Sequence, residues 1–194
     1  MNESRRFSHA IAEGDGISVV AAVADADAAR AAEAQRAEAL VVDGDPTHVR
    51  EATRLPILWR ADAAVDRAAE IADAVILTLP GSDDDHGPIQ RRHEHALAVG
   101  LDCAVEVRSE EELERALEVL DPEILLLAPP HEGEERFESV LELLAAVPAG
   151  KLAIADLAVT TEDEVQELER AGVDAVIVHA ADLSPLVGDA PPEV

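Results

Sequence analysis

Lysine, cysteine and aromatic residues are scarce in this chain. Aromatic residues make up 2% of the 194 positions, Lys151 is the sole lysine, and the single cysteine, Cys103, cannot form an internal disulfide. No apolar run reaches the roughly 18 residues that a membrane helix requires. The first residues also lack the apolar segment of a signal peptide. We therefore expect a cytoplasmic protein that does not interact with a membrane.

Glycine-rich phosphate-binding motifs are missing as well. The chain contains no Gx₄GK[ST], no GxGxxG and no GxSxG sequence. The first predicted strand runs into AVADADAA, which has no glycine where a dinucleotide-binding sheet would carry one. Nucleotide-binding and serine-hydrolase functions therefore have no support, and we predict no cofactor.

Acidic residues are abundant, with 42 aspartates and glutamates against 15 basic residues and a formal net charge of −27. Such a charge repels phosphates, so we expect neither nucleic acid nor an anionic membrane as a partner. An acidic, nearly lysine-free composition resembles that of halophilic proteins, whose salt-rich cytoplasm screens self-repulsion. A high-GC genome, which replaces lysine by arginine and enriches alanine, is the alternative explanation. We favour salt adaptation because of the acidity.

Eight short apolar runs recur at nearly even intervals along the chain. They are 17–23, 39–42, 56–59, 74–79, 103–107, 124–128, 152–159 and 175–178. Short continuous runs of this kind are typical of strands buried on both faces of a parallel sheet. Polar, alanine-rich segments with helical spacing separate them, which indicates right-handed β/α crossovers. We predict an α/β protein, a compact (β/α)₈ TIM barrel with short βα loops.

The two ends of the predicted single domain, 1–194, differ from its repeating units. Positions 1–16 should form an N-terminal arm whose helix, near 4–13, covers the lower mouth of the barrel or lies at its rim. Positions 184–194 should form an irregular tail, too rich in proline for a full helix, so the eighth helix is expected to be incomplete. Within the barrel, Ser109 and Thr161 begin capping boxes, and Gly100 and Gly172 should end helices.

Polar side chains lie at the carboxyl ends of six predicted strands, where barrels of this kind carry active sites. The six are Asp43, Arg60, Thr78, Glu106, Asp156 and His179. Glu106 and Asp156 interrupt apolar strands, where an unpaired carboxylate costs several kcal/mol, so both are functional candidates. The structural alternative for Glu106 is a salt bridge to Arg60 or Arg108.

The remaining candidates also have two interpretations each. Arg60 could bind an acidic ligand or pair with Glu106, and His179 could be an acid–base group or a hydrogen-bonded structural residue. We assign His179, Asp43 and Thr78 to ligand binding. Three further histidines, at positions 86, 93 and 95, are clustered, but two residues on a helix that are two apart face different directions. We therefore predict a solvated helix face there and no metal site.

Four segments of the chain carry a resemblance to a known family. They are LDCAVEVRSEEELERAL, LAIADLAVTTEDEVQELERAGVDAVIVHAADL, RRFSHAIAEGDGISVVAAV and LPILWRAD. In this order they resemble the fifth β/α unit, the seventh unit with the eighth strand, the N-terminal helix with the first strand, and the third strand of the indole-3-glycerol-phosphate synthase family. The resemblance covers nearly the whole chain and implies the same barrel.

Carried onto this chain, the resemblance implies a depleted catalytic apparatus. Glu106 matches a catalytic glutamate, Arg60 takes the place of the general-acid lysine, and Asp156 that of a glutamate on strand 7. Other family positions hold residues without the required chemistry: Ala22 and Ala24 for a glutamate and a lysine, Ala128 for an asparagine, Leu157 and Ala158 for a serine and a glycine, His179 and Ala180 for the phosphate-binding glycine and serine. Arginine is a poor proton donor because its pKa exceeds about 12.

Three functional hypotheses follow. The first is a diverged, catalytically silent barrel that binds a ligand, expected to be a small anionic or phosphorylated molecule, or a protein partner. The second is an active lyase or isomerase in which Glu106 and Asp156 act as acid and base and Arg60 binds an anionic group. The third is a structural scaffold, in which a homo-oligomer covers the apolar flank left by the incomplete eighth helix.

Overall fold

Eight parallel strands close into one barrel. A computed structural model describes residues 6–12, 16–60, 64–81, 84–128 and 135–179, together with Leu183 and Leu186. Each strand pairs with the next along the chain, and the last pairs with the first, which confirms the predicted (β/α)₈ barrel. The strands are β1 Ser18–Ala22, β2 Ala39–Val42, β3 Ile57–Trp59, β4 Ala74–Thr78, β5 Asp102–Val107, β6 Ile124–Leu127, β7 Leu152–Asp156 and β8 Ala175–Val178.

Helices precede the barrel and connect its strands. They are α1 Arg6–Ala12, α2 Ala26–Ala34, α3 Thr47–Ala52, α4 Val65–Ile71, α5 Gly87–Ala98, α6 Glu110–Val119, α7 Glu135–Ala146 and α8 Glu162–Ala171. Helix α1 comes before β1, and each of the other seven follows one of the strands β1 to β7. The predicted incomplete eighth helix and irregular tail concern positions after β8 that, apart from Leu183 and Leu186, lie outside the described residues. No helix in the described part of the chain is long and apolar enough to cross a bilayer.

Local signals place the helix ends where the sequence predicts them. Ser109 and Thr161 cap α6 and α8, each accepting a hydrogen bond from the backbone N–H three residues on. In α8, Glu164 completes the reciprocal half of the capping box. Gly100 and Gly172 adopt φ values of 86° and 98°, the left-handed region that stops a helix before the next strand. These ends fix where each following strand begins.

Strand parity divides the apolar residues into two cores. Alternate residues such as Val41, Leu58 and Ile154 form an interior cluster within the barrel. Their neighbours, such as Leu40 and Val105, form a larger cluster between the strands and the surrounding helices. Because successive side chains on a strand point to opposite faces, this division fixes which residue at each strand end faces the barrel axis.

Helix α1 closes the lower mouth of the barrel, one of the two placements predicted for it. Phe7 and Ile11 are buried and belong to the interior cluster. The backbone N–H of Ser8 donates to the buried carboxylate of Asp102 at the start of β5, at 2.8 Å. Helix α1 therefore closes the barrel at the amino-terminal ends of the strands. A site would lie at the opposite end, where the carboxyl-terminal ends of the strands meet.

Apolar residues on the outer face of β1 and β8 are buried in the described part of the chain. Val19 and Val178 are buried and share a cluster with Leu183 and Leu186. The backbone N–H of Leu183 also donates to the side-chain oxygen of Gln35 at the end of α2. The predicted exposed flank is therefore not present at these described positions.

Candidate functional site at the carboxyl-terminal mouth of the barrel

All six predicted site residues lie at the alternate strand positions whose side chains face the barrel interior. Each stands two positions after a residue of the interior cluster: Asp43 after Val41, Arg60 after Leu58, Thr78 after Ile76, Glu106 after Ala104, Asp156 after Ile154 and His179 after Ile177. On the other two strands the corresponding positions are Ala22 and Ala128. The six side chains therefore form one ring around the mouth, interrupted by two methyl groups.

An ion pair crosses this mouth. Arg60 Nη2 lies 2.5 Å from Asp156 Oδ2, and Arg60 comes from the end of β3 whereas Asp156 comes from the end of β7. These two strands are separated by three others in either direction, so the pair joins opposite walls of the barrel. An eight-stranded barrel has an interior just wide enough for side chains to fill, which a long arginine side chain can span. The centre of the mouth is thus occupied by the protein's own side chains.

Asp156 is bound from a second side by His179. The Nε2 atom of His179 lies 2.8 Å from Asp156 Oδ1, and the side chain of Asp156 is 7% exposed. Burial would raise the pKa of Asp156, but the hydrogen bonds from His179 and Arg60 and the charge of Arg60 outweigh it and lower this pKa below its usual value. The hydrogen bond to Asp156 raises the pKa of His179, against the opposing effect of burial. The two groups therefore favour an imidazolium–carboxylate pair.

Arg60 has a second carboxylate partner on its own side of the mouth. Its Nε lies 3.3 Å from Asp43 Oδ1, at the end of the adjacent strand β2. The side chain of Asp43 is 74% exposed, whereas that of Asp156 is 7% exposed. Arg60 thus joins a solvated carboxylate to a buried one, and it pairs with these two rather than with Glu106.

Glu106 forms a separate cluster on β4 and β5. Its Oε1 accepts hydrogen bonds from Nε and Nη2 of Arg108 at 3.1 and 2.8 Å, one of the two structural partners that the sequence suggests. Its Oε2 lies 3.4 Å from the hydroxyl of Thr78, which is level with it on the neighbouring strand. The hydrogen bond and charge of Glu106 raise the pKa of Arg108. Asp43, Arg60, Asp156 and His179 are thus linked in one group, and Thr78, Glu106 and Arg108 in another.

Arg136 is a mouth residue that the sequence does not reveal. Its Nη2 donates to the main-chain carbonyl of Asp156 at 2.8 Å, although Arg136 lies on α7, after β6. Only its position in the first turn of a helix that follows a strand end could have indicated this role. With Arg60 and Arg108 it brings three arginines to the mouth of a chain that has only 15 basic residues.

The solvated helix face predicted for the three histidines is wrong for His93. This side chain is buried on α5, and burial lowers its pKa, whereas His95 is exposed and contacts Asp66 at 3.1 Å. Within the described residues, no three or more His, Cys, Asp or Glu side chains are grouped so as to hold a metal ion.

Comparison with known proteins finds that this sequence is similar to indole-3-glycerol phosphate synthases. The sequence matches no family model. It is 35% identical over 144 residues to the indole-3-glycerol phosphate synthase of Variovorax paradoxus (strain S110), covering 68% of this chain and 51% of that protein. It is 29% identical over 141 residues to the synthase of Geobacillus sp. (strain WCH70), covering 67% and 52%. The chain spans about half the length of the curated relatives it matches.

Solved structures agree on the fold. The N-acetylmannosamine-6-phosphate 2-epimerase from Clostridium perfringens matches with a TM-score of 0.69 at 16% identity, covering 89% of this chain and 90% of that one. A 2,3-dimethylmalate lyase matches with a TM-score of 0.65, also at 16% identity, covering 95% and 84%. At such identities these likenesses show the barrel fold alone.

Proposed function

We propose, since this chain is a diverged relative of the indole-3-glycerol phosphate synthase family, that its barrel no longer closes the indole ring. In this proposal it is a catalytically silent barrel that binds a ligand at its carboxyl-terminal mouth. The observation that carries the proposal is the ion pair of Arg60 with Asp156, which occupies the centre of the mouth.

The position of Arg60 argues against acid catalysis. By resemblance, the family has its general-acid lysine there, and a proton donor is most effective when its pKa lies near the working pH. Arginine stays protonated in proteins and cannot deliver its proton at neutral pH. In addition, Arg60 is engaged by Asp156 and Asp43. A reacting substrate would have to displace both carboxylates.

The other positions of the ring support the same conclusion. Ala22 and Ala128 stand where the resemblance places a glutamate and an asparagine, and a methyl group neither donates nor accepts a proton. His179 replaces a glycine that would let a phosphate approach the backbone N–H groups closely. Each missing acid–base group is worth about 10²–10⁴-fold in rate. Their combined loss is more than one surviving glutamate, Glu106, can offset.

The ligand that we propose is a small anionic or phosphorylated molecule. Arg60, Arg108, Arg136 and His179 bring positive charge to the mouth, whereas the chain as a whole carries −27. Ionised acceptors bind such donors most strongly, and a planar guanidinium matches carboxylate and phosphate oxygens. Binding would compete with the carboxylates that already hold Arg60 and Arg108, so we expect a weak affinity.

A synthase assay tests the proposal. The purified chain is given the synthase substrate, and indole-ring absorbance is followed, with the Variovorax paradoxus relative as the positive control. We expect no absorbance change from the wild type. We expect none from Arg60→Lys, which returns an ammonium group to strand 3 but not the missing groups of strands 1 and 6. Sustained turnover by the wild type would refute the proposal.

A second candidate is an active lyase or isomerase with altered chemistry, and the contact of His179 with Asp156 favours it. Glu106, Asp156 and Arg60 all lie at positions that face the barrel interior, as this hypothesis requires. The pairing of Asp156 with Arg60 makes His179 a better acid–base group than Asp156, because a half-exposed imidazole oriented by a carboxylate can exchange protons with a ligand. A substrate analogue that carries deuterium at the reacting carbon tests this role. The wild type should exchange the deuterium for solvent hydrogen, and His179→Gln should retain it.

The third candidate, a structural scaffold, receives less support. Its basis was an exposed apolar flank beside β8, and Val19 and Val178 of that flank are buried in the described part of the chain. Sedimentation at high salt would distinguish a stable homo-oligomer from a monomer.

A further inference from the structure

Each member of the pair that crosses the mouth has a second partner of opposite charge. Arg60 also contacts Asp43, on its own side of the barrel, and Asp156 also contacts His179, on its own side. If Arg60 moved towards Asp43, neither group would be left without a partner. Breaking a buried ion pair is normally costly because it leaves a buried charge uncompensated. In this arrangement that cost depends on whether His179 carries a proton.

The protonation state of His179 sets the balance between two arrangements. When His179 is neutral, Asp156, which is 5% exposed, depends on Arg60 for charge compensation. When His179 is an imidazolium, it compensates Asp156 by itself, and it also repels Arg60. Asp43 attracts the guanidinium in both cases and is exposed to water. Protonation therefore favours release of Arg60 from the centre of the mouth.

We propose that the Arg60–Asp156 pair is a proton-operated gate, in which protonated His179 replaces Arg60 as the partner of Asp156 and opens the mouth to the ligand. This inference rests on the proposed function only in placing a ligand at this mouth. With the gate open, Arg60 can bind an anionic ligand at the rim. With the gate closed, Arg60 lies across the lumen between β3 and β7.

The groups that act on His179 come from three strands. Asp156 lies on β7 and raises its affinity for the proton, Arg60 follows β3 and lowers it, and Asp43 follows β2 and raises it. Arg136, from α7, donates to the main-chain carbonyl of Asp156 and so restrains the backbone that carries this carboxylate. A ligand anion that attracts Arg60 would therefore favour proton uptake by His179, since binding and protonation are linked.

Nuclear magnetic resonance can follow both ends of the gate in the intact protein without ligand. The Nε–Hε signal of Arg60 is assigned with Arg60→Lys, and the imidazole signals of His179 with His179→Gln. The wild type is titrated from about pH 5 to about pH 9, a range that includes the ordinary histidine pKa of about 6.5. The sole tryptophan, Trp59, gives a second readout because it precedes Arg60 and its Nε1 donates to the carbonyl of Gly44 at 2.6 Å.

The expected result is a shift of the Arg60 signal whose midpoint coincides with the titration of His179. Protection of this N–H from exchange, measured against the intrinsic base-catalysed rate at each pH, should fall at the same midpoint as the pH is lowered. The Trp59 fluorescence should change at the same midpoint, and both transitions should be lost in His179→Gln. His95→Gln is the matched control, because His95 is as exposed as His179 but contacts Asp66 outside the mouth. It should leave the midpoint unchanged.

An Arg60 signal that stays constant while His179 titrates would overturn the gate. A transition that persists in His179→Gln would also overturn it, because another group would then be responsible. The synthase assay on the same preparation is independent of this result. Turnover would refute the proposed silence without affecting the gate, whereas a constant Arg60 signal would refute the gate and leave the silence standing.

Discussion

Arg60 and Asp156 lie on opposite walls of the barrel, and their side chains meet at 2.5 Å across its mouth. A charge at the end of β3 thus compensates a buried charge at the end of β7, so two of the predicted site residues satisfy each other.

Removing the guanidinium of Arg60 should destabilise the fold only moderately. Arg60→Gln leaves Asp156 with His179 as its remaining charged partner, so we expect the free energy of unfolding to fall by about 1–3 kcal/mol. Urea titrations of the wild type and variant at neutral pH measure this. Arg67→Gln is the control: Arg67 pairs with Glu70 at the surface, and such exposed pairs contribute about 0–1 kcal/mol. An equal loss in both variants would show that the crossing pair has no special role.

The contact of His179 with Asp156 should make stability depend on pH in a defined direction. The pKa of His179 is raised in the folded state, so its contribution is fully present below the unfolded value of 6.5 and is lost as pH rises through the folded pKa. The pKa of Asp156 is lowered, so its contribution is present above 3.8 and is lost as pH falls through its folded pKa. The difference in unfolding free energy between wild type and His179→Gln should therefore be largest between pH 3.8 and pH 6.5, and it should become smaller at alkaline pH.

Urea titrations at several pH values provide the measurement. His95→Gln reports the effect of losing an exposed imidazole–carboxylate contact elsewhere on the surface. A stability difference for His179→Gln that widens as pH rises above neutrality would contradict the expected direction.

The sequence predicts the barrel well, and it also predicts that these polar residues lie at the strand ends, because both depend on local pattern. Short apolar runs identify the strands, and the period of two along a strand puts Asp43, Glu106 and His179 on the interior face. Which side chains meet across the lumen depends on strand stagger and side-chain length, which no local pattern contains. Glu106 thus pairs with Arg108 two residues away, and Arg60 reaches Asp156 instead. Arg136 escapes detection for the same reason, since it reaches the mouth from a helix.

His93 should make the protein sensitive to mild acid. It is buried on α5, and burial lowers its pKa below the unfolded value of 6.5. As pH falls below 6.5 the unfolded chain takes up a proton before the folded chain does, so stability decreases until the folded pKa is reached. His93→Gln should remove this part of the slope in urea titrations between neutral and mildly acidic pH. An unchanged slope would show that other groups cause the acid sensitivity.

Gly172 should tolerate alanine less well than Gly44 does. An added Cβ would meet no atom within 4 Å at either position, so crowding does not distinguish them. Gly172, however, has φ of 98° at the end of α8, where L-residues are strained. We expect Gly172→Ala to lower the free energy of unfolding by about 1 kcal/mol and Gly44→Ala to change it by less. Equal thermal midpoints for the two variants would contradict this.

Salt should stabilise the folded chain. A net charge of −27 produces self-repulsion in the compact state, and raising the salt concentration from about 0.1 M to about 1 M shortens the Debye length from about 10 Å to about 3 Å. We expect the urea midpoint to rise over this range with an unchanged dependence on denaturant. A chain whose acidity merely follows the base composition of its genome should instead be fully stable at low salt.

A variant with fewer charges separates screening from other effects of salt. Glu114 and Glu118 are exposed and lie four residues apart on α6, so their charges repel each other. Glu118 also lies in the last turn of that helix, where negative charge is unfavourable. Glu114→Gln/Glu118→Gln should therefore raise stability at low salt by about 0.5–1 kcal/mol and have a smaller effect at high salt. If the gain is the same at both salt concentrations, it does not arise from charge, and the salt dependence of the wild type needs another cause such as strengthened apolar burial.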